Sequence, residues 1–148
     1  MSQSKVRAVP EGYRTITPYL NVKGASDAIA FYKKAFGAEE RVRLPGPDGS
    51  IMHAELKIGD SMVMLTDAIR FPPTTASIHV YAPDIDKWWT RATEAGAKVV
   101  MPIADQFWGD RWGVVSDAWG NQWSLAQHIE DVPGEEMGKR AAEAMKNR

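Results

Sequence analysis

The side chains that could carry chemistry in this chain fall into two short groups, one in each half. His53 and Glu55 belong to a run that alternates apolar and polar residues, so both would lie on the polar face of a strand. An imidazole and a carboxylate at this spacing can form an acid–base pair or hold a displaced metal ion. The other interpretation is a solvated sheet face, which is favoured for His53 and stays open for Glu55. The candidate partners of Glu55 on such a face are Lys57, Arg43 and Arg111.

The second group lies in residues 106–113, which contain Trp108, Asp110, Arg111 and Trp112. These residues come just before a predicted strand, in a predicted loop with glycines at 109 and 113 as hinges. An arginine beside aromatic rings can stack on them and offer its planar fork to a carboxylate, phosphonate or carbonyl group. The alternative is a structural pair between Asp110 and Arg111 that fastens the loop. Both interpretations stay open.

The elements that must position these groups recur after about 60 residues. Apolar strand-like runs at 16–22 and 77–82 each precede a helical pattern, which closes at Gly37 in the first half and at Gly96 in the second. Two strand-like stretches around a tight turn follow each helix, and they lie at 52–58, 62–66, 112–116 and 122–127. Each half thus predicts strand–helix–strand–strand–strand. Because such a unit cannot bury both faces of its sheet, we expect two units to pair around a cavity for a small molecule.

Strand parity adds four polar residues to the predicted walls of that cavity. Tyr19 and Asn21 alternate with apolar residues in the first half, and His79 and Tyr81 do so in the second. Together with the four residues of the loop at 106–113, they form the predicted ligand-binding set. For His79, a hydrogen-bonded histidine of the core is the favoured alternative.

Composition excludes several classes of function. The chain has a net charge of −1 and no Lys/Arg cluster larger than Lys33-Lys34, which does not favour binding to nucleic acid or a membrane surface. The absence of cysteine excludes disulfides, thiolate metal sites and cysteine nucleophiles. The first residues lack the apolar core of a signal peptide, and no stretch approaches the roughly 20 apolar residues that span a membrane. A cytoplasmic protein is therefore expected.

Five stretches carry a resemblance to a known family, and they read TPYLNV at 17–22, AFYKKAFG at 30–37, HAELKIG at 53–59, FWGDRWG at 107–113 and DAWGNQWSL at 117–125. They resemble the vicinal oxygen chelate superfamily, which includes glyoxalase I, fosfomycin- and bleomycin-resistance proteins and extradiol dioxygenases. Within it, the chain is most similar to the PhnB-like glyoxalase/bleomycin resistance branch. The resemblance covers roughly residues 13–130.

The resemblance implies an α+β fold in which two βαβββ modules form a curved mixed sheet around a central cleft. The chain 1–148 would then be a single domain, with module one at 13–70, module two at 74–130 and a C-terminal helix at 133–148. The same resemblance, and the apolar residues of the linker and the terminal helix, predict a homodimer.

Metal-dependent members of the superfamily place one ligand on each of four strands, usually His, Glu or Gln. Matching the motifs puts these positions at Thr17, Met64, Ser77 and Ser124. None of the four is an imidazole or a carboxylate, the groups that divalent transition metals prefer in such a site. A divalent metal is possible but not favoured, and no cofactor is expected.

Three functions remain open at this point. The leading hypothesis is a metal-free protein that binds a small molecule, of the resistance or sequestration type. The second is a lyase or isomerase of glyoxalase type that acts on a small carbonyl or anionic substrate, with Glu55 and His53 as catalytic residues. The third is a structural or regulatory dimer with a vestigial cleft. Poor metal ligands favour binding, because metal-assisted enolate chemistry needs a Lewis acid or another way to stabilise an oxyanion.

Overall fold

The structure is a computed structural model that describes residues 6–146. Two compact units divide the chain between residues 75 and 76, and they are called module one and module two below. Each has a four-stranded mixed sheet and a helix between its first two strands, which confirms the predicted α+β class and the two βαβββ modules.

Module one contains β1 (Tyr19–Val22), α1 (Ala25–Phe36), β2 (Glu39–Pro45), β3 (Ile51–Ile58) and β4 (Ser61–Asp67). Module two contains β5 (Ser77–Tyr81), α2 (Ile85–Glu94), β6 (Lys98–Asp105), β7 (Asp110–Ser116), β8 (Gln122–His128) and α3 (Gly134–Lys146). The strand orders are β1-β4-β3-β2 and β5-β8-β7-β6, with the first pair in each order parallel. The repeat of about 60 residues also holds in register, since Tyr19 faces Met64 and His79 faces Ser124.

The helix α1 forms because its apolar residues recur at the spacing of one helical face. Its buried residues are Ala25, Ala28, Ile29, Tyr32, Ala35 and Phe36. Gly37 ends the helix in the left-handed conformation, with its N–H bonded to the Lys33 carbonyl. Leu20, Leu56 and Leu65 are at most 1% exposed and belong to the face of the sheet that α1 covers. Burial of each contributes about 1.5–3 kcal/mol.

The other face of the module-one sheet, turned away from α1, is called the polar face. Pairing puts Tyr19, Met64 and Glu55 in one row across three strands of this face. Asn21 and Thr66 form a neighbouring row. The predicted alternation is therefore confirmed for 53–58, where Ala54, Leu56 and Ile58 are buried on the helix side, but it fails at Met52, which is 59% exposed.

Two strand boundaries differ from the prediction. β1 begins at Tyr19 rather than at residue 16, because Pro18 has no N–H for a ladder and uses only its carbonyl, which accepts from Met64 N. β7 begins at Asp110 rather than at Trp112, so half of the predicted loop at 106–113 is strand. Among the described helices, none is long and apolar enough to cross a membrane.

Candidate functional site

The polar face of module one carries a chain of hydrogen bonds through His53 and Glu55. His53 Nε2 lies 2.7 Å from Glu55 Oε2, and the Tyr19 hydroxyl lies 2.9 Å from His53 Nδ1. Tyr13, from the segment before β1, donates its hydroxyl to the other carboxylate oxygen of Glu55. The two residues of the predicted acid–base pair are therefore in hydrogen-bond contact with each other.

The direction of these bonds follows from the chemistry of Glu55. The bond from Tyr13 is the largest cause that lowers the pKa of Glu55 below its usual 4.5, and His53 adds to it against the opposing effect of burial. An ionised carboxylate only accepts, so His53 Nε2 donates to it, and the Nδ1 of a neutral ring accepts from Tyr19. Burial and the bond to Glu55 raise the pKa of Tyr13 to about 12, which keeps its hydroxyl protonated.

This arrangement makes Glu55 a weak base and a good anchor. Both of its oxygens accept hydrogen bonds, and its pKa is lowered, whereas a general base works best with a pKa near the operating pH. The alternative ion pair with Arg43 does not form, because Arg43 binds Glu40 at 2.9 and 3.0 Å. The four residues fasten the segment before β1 onto the sheet and leave the Tyr19 ring beside a cavity.

That cavity lies at the end of the polar face and has a volume of about 480 Å³. All of its lining residues belong to module one, and they are Tyr19, Asn21, Gly46, Pro47, Ser50, Ile51, Met52, Thr66, Asp67, Ile69, Arg70 and Phe71. Three of the apolar residues, Met52, Ile69 and Phe71, are 59–68% exposed. An apolar cavity of this size with a few polar groups is typical of small-molecule sites.

Two turns build the rim of the cavity. Residues 46–50 form a tight turn, in which Gly46 N donates to the Ser50 carbonyl and Ser50 N donates to the Pro47 carbonyl. A side chain at Gly46 would crowd the Ser50 hydroxyl, at 2.6 Å from the added Cβ. After β4, Ala68 N donates to the Val22 carbonyl. Ile69 and Phe71 follow this bond in the chain and line the cavity.

Asp67 lines the cavity and caps α1 from the end of β4. Its Oδ1 accepts from Gly24 N and Ala25 N, both at 2.9 Å, and its Oδ2 accepts from Ile51 N at 2.7 Å. The carboxylate at the start of α1 is favourable because the helix dipole is positive there. Gln127 has the same role in module two, where its Oε1 accepts from Ile85 N at the start of α2.

Module two has its own polar cluster, centred on Asp110. This aspartate is 2% exposed, and its carboxylate accepts from the Tyr81 hydroxyl at 2.7 Å, Trp108 Nε1 at 3.0 Å and His128 Nδ1 at 2.8 Å. His128 Nε2 also lies 2.7 Å from Asp131. The structure thus brings together three members of the predicted ligand-binding set, Tyr81, Trp108 and Asp110.

The charges in this cluster stabilise each other. Burial alone would raise the pKa of Asp110, but the bonds from His128, Tyr81 and Trp108 together hold that pKa below its usual 3.8. The bond to Asp110, and then the bond to Asp131, raise the pKa of His128 above its usual 6.5. Because every carboxylate oxygen of Asp110 is engaged, the cluster is a structural clasp between β7 and the end of β8.

Arg111 lies on the opposite face of the module-two sheet from Asp110. It pairs across the strands with Gln127, on the side of α2, and its guanidinium binds Asp86 at 2.9 Å and Asp105 at 3.0 Å. The predicted pair between Asp110 and Arg111 is therefore wrong, because adjacent residues of a strand point to opposite faces. Trp112 returns to the face of Asp110, where its ring centroid is 5.4 Å from that of Trp108.

The two glycines of this segment serve packing rather than a hinge. A Cβ at Gly113 would lie 2.7 Å from the Trp89 ring and 2.8 Å from the Ile103 backbone, so α2 and β6 need the bare backbone there. Gly109 has φ +98°, and a Cβ there would clash with the Glu130 carbonyl. Both positions hold neighbouring segments in close contact.

The remaining predicted residues divide between the modules. Asn21 lines the cavity, with its amide nitrogen 3.4 Å from Thr74 Oγ1. His79 is exposed and its ring packs against Tyr81 at 4.6 Å, so its interpretation as a histidine of the core was wrong. The cleft walled by residues of both modules stays a prediction. Sequence reasoning missed Met52, Ile69, Arg70 and Phe71; for Ile69 and Phe71, the available signal was two large apolar residues outside any strand.

The four positions that hold metal in the superfamily do not fit a transition metal. Met64 faces Glu55 and Tyr19, and Ser124 faces His79 and Val114, so Met64 and Ser124 offer a thioether and a hydroxyl. In residues 6–146, no three His, Asp or Glu side chains are grouped so that they could hold a metal ion. The side chains at these positions therefore lack the imidazole and carboxylate groups with which the metal-dependent members of the superfamily bind their metal.

Comparison with known protein families agrees with the observed fold. The pattern of the Glyoxalase/Bleomycin resistance protein/Dioxygenase superfamily matches residues 14–125. The uncharacterized protein Rv0887c of Mycobacterium tuberculosis is 42% identical over 134 residues, which cover 82% of this chain and 79% of that protein. The chain therefore belongs to the Glyoxalase/Bleomycin resistance protein/Dioxygenase superfamily.

Solved structures share the fold over most of their length. TioX from Micromonospora sp. ML1 is 28% identical with a TM-score of 0.69, covering 78% of this chain and 99% of TioX. A glyoxalase/bleomycin resistance protein from Streptomyces sp. CB03234 is 25% identical with a TM-score of 0.59, covering 74% and 96% of the two chains. The similarity thus extends through both modules.

Proposed function

We propose that this chain is a small-molecule-binding protein whose ligand occupies the cavity of module one. The observation that carries the proposal is the cavity itself, of about 480 Å³, with apolar walls and a few polar groups at its edge. Such a site gains its affinity from the apolar area it buries and its orientation from the polar groups. The family supports the proposal, since its description names bleomycin resistance proteins beside glyoxalases.

We also propose that binding needs no metal. Hydroxyls and a thioether at the four superfamily positions are weak ligands for a transition metal. His53 and Glu55, the candidate ligands of a displaced metal ion, are bonded to each other and to two tyrosines. The ligand would therefore be held by contacts with side chains alone.

A matched pair of isoleucine variants tests the binding site. Ile69 lines the cavity and is 68% exposed, whereas Ile16 lies outside it and is 84% exposed. The neutral dye N-phenyl-1-naphthylamine, which fluoresces in apolar sites, should bind saturably to the unmodified protein. Ile69→Ser should weaken that binding several-fold, and Ile16→Ser should leave it unchanged. Equal effects of the two variants would mean that the dye does not bind in the cavity, and the proposed site would be wrong.

A second candidate function is a lyase or isomerase of glyoxalase type acting on a small carbonyl substrate. The hydrogen-bonded chain from Tyr19 through His53 to Glu55 favours it, because it connects the rim of the cavity to a carboxylate. In this case a proton from the carbon beside the carbonyl would pass to the Tyr19 oxygen while the hydroxyl proton moves to His53 Nδ1 and the Nε2 proton moves to Glu55. The test is deuterium exchange into hydroxyacetone in D₂O, followed by NMR, which Glu55→Gln should abolish. A rate of deuterium exchange equal to that in buffer alone would contradict this second candidate and leave ligand binding as the proposed function.

We infer that the protein is a cytoplasmic homodimer. Met137, Ala141 and Ala144 on one stripe of α3 are half-buried, and Met145 on the same stripe is 65% exposed. A partly exposed apolar stripe on a terminal helix favours contact with a second copy. If light scattering found a dimer but neither dye binding nor exchange occurred, the third hypothesis, a structural dimer with a vestigial cleft, would replace the first two.

A further inference from the structure

We propose that the cavity of module one selects flat, apolar ligands that carry an anionic group, and that Arg70 binds this group. The inference rests on the proposed function and adds the chemical class of the ligand. Asp67 and Arg70 are the charged residues of the cavity lining. The balance between these two charges decides which ligands the cavity favours.

The negative charge of Asp67 is already compensated within the fold. Three backbone N–H groups, from Gly24, Ala25 and Ile51, donate to its two oxygens at 2.7–2.9 Å. Two of these groups are at the start of α1, where the dipole of the helix adds a partial positive charge. These contacts offset part of the repulsion that Asp67 exerts on an anion in the cavity.

The positive charge of Arg70 is not compensated in this way. Arg70 is exposed, and it makes no hydrogen bond or ion pair with the residues that the structure describes. Its guanidinium keeps five N–H donors in a planar fork that fits a carboxylate, sulfonate or phosphonate. Ile69 and Phe71, its neighbours in the chain, line the same cavity, so an apolar ligand there would exclude water beside Arg70 and strengthen its attraction to an anion.

The other polar groups of the lining point to the same ligand. The hydroxyls of Ser50 and Thr66 donate to the carbonyls of Pro47 and Met52 at 2.6 and 2.7 Å. The Tyr19 hydroxyl donates to His53. These hydroxyls offer a ligand only their lone pairs. The unengaged side-chain donors of the lining are the guanidinium of Arg70 and the second N–H of the Asn21 amide, so an acceptor group of the ligand belongs beside Arg70.

The apolar part of the lining determines the shape of the ligand. Phe71, Ile69 and Met52 are exposed in the lining, and the Tyr19 ring lines the same cavity. Aromatic and thioether groups favour contact with a flat ring system. An aromatic carboxylate or sulfonate combines this surface with the anionic group that Arg70 requires.

Two dyes that share one ring skeleton test the inference. 1-Anilinonaphthalene-8-sulfonate carries a sulfonate, and N-phenyl-1-naphthylamine is the same molecule without it. Fluorescence titrations would compare the unmodified protein, Arg70→Gln and the control Arg14→Gln, since Arg14 is exposed in the same module but outside the cavity. All three proteins keep the apolar lining.

We expect the anionic dye to bind more tightly than the neutral one. Arg70→Gln should weaken the anionic dye about tenfold or more, equivalent to about 1.4 kcal/mol, and change the neutral dye less than twofold. Arg14→Gln should change neither, and added salt should weaken only the anionic dye. Equal affinity for both dyes, or equal losses in the two arginine variants, would overturn the inference and leave the proposed function standing. If neither dye bound saturably, the proposed function would fail as well.

Discussion

The bond between Tyr13 and Glu55 allows one prediction to be worked out in detail. Tyr13→Phe removes a hydroxyl that donates to an ionised carboxylate, and hydrogen bonds to charged groups contribute about 1.5–3 kcal/mol. The side chain of Glu55 is 20% exposed, so water offsets part of the loss. We therefore expect the free energy of unfolding near pH 7 to fall by about 1–2 kcal/mol, at the lower end of that range.

The loss of stability in Tyr13→Phe should depend on pH in a definite direction. The folded-state pKa of Glu55 lies below 4.5, so the stability from its ionised form is present above that value and is lost as pH falls through the folded pKa. The effect of Tyr13→Phe should therefore shrink in acid. The pKa of Tyr13 is raised to about 12, so its contribution persists to about pH 10 and is lost only as pH rises through about 12.

A double-mutant cycle in urea measures the pair directly. The cycle combines Tyr13→Phe and Glu55→Gln, because glutamine keeps the shape of the side chain and removes the charge. We expect a coupling energy of about 1 kcal/mol near pH 7, which decreases below the folded pKa of Glu55. A coupling energy within error of zero near pH 7, or one that grew in acid, would refute the account of this hydrogen-bonded chain.

Four further predictions concern the rest of the molecule. His128→Gln should lower stability most below pH 6.5, where the raised pKa of His128 keeps its charge beside Asp110, and the difference should disappear as pH rises through that pKa, measured by urea unfolding. Arg111→Ala should lower stability by less than about 1 kcal/mol, because its partners are exposed, and leave dye affinity unchanged in the same titrations. Elemental analysis should find less than about one-tenth of an equivalent of transition metal per chain. Deletion of residues 133–148 should loosen the dimer by light scattering or lower stability, since Arg140 on α3 binds Glu130 at 2.8 Å.

Local patterns in the sequence located most elements of the fold, although no pattern located β2 or β6. The apolar spacing of α1 and the glycine at its end predict the helix, because both depend on residues within a few positions of each other. The alternation in β3 predicts its buried face, and it also puts His53 and Glu55 on one side. The repeat in the chain predicts the second module from the first.

Contacts between distant residues could not be read in the same way. The capping oxygens of α1 and α2 come from Asp67 and Gln127, each 42 residues from the helix start that it caps. A cap of this kind depends on the tertiary fold, which places the end of a strand beside the start of a helix. Local capping rules therefore do not find it.

The error at Arg111 has a related cause. In a loop, the side chains of Asp110 and Arg111 could point the same way. Both residues belong to β7, however, so their side chains lie on opposite faces of the sheet. The pairing with His128 that extends the strand to Asp110 lies 18 residues away in sequence. The sequence did not predict the cavity residues because the lining comes from three separate segments, at 19–21, 46–52 and 66–71. Only the tertiary fold brings these segments together.

The location of bound ligand is the most direct test of the central claim. Methionines labelled with ¹³C at their methyl groups would be followed by NMR during titration with 1-anilinonaphthalene-8-sulfonate. Met52 lines the cavity, and Met145 lies on α3 in the other module. The account predicts a saturable shift of the Met52 methyl with the Met145 methyl unchanged. A shift of Met145 without Met52, with the dye at saturation, would contradict it.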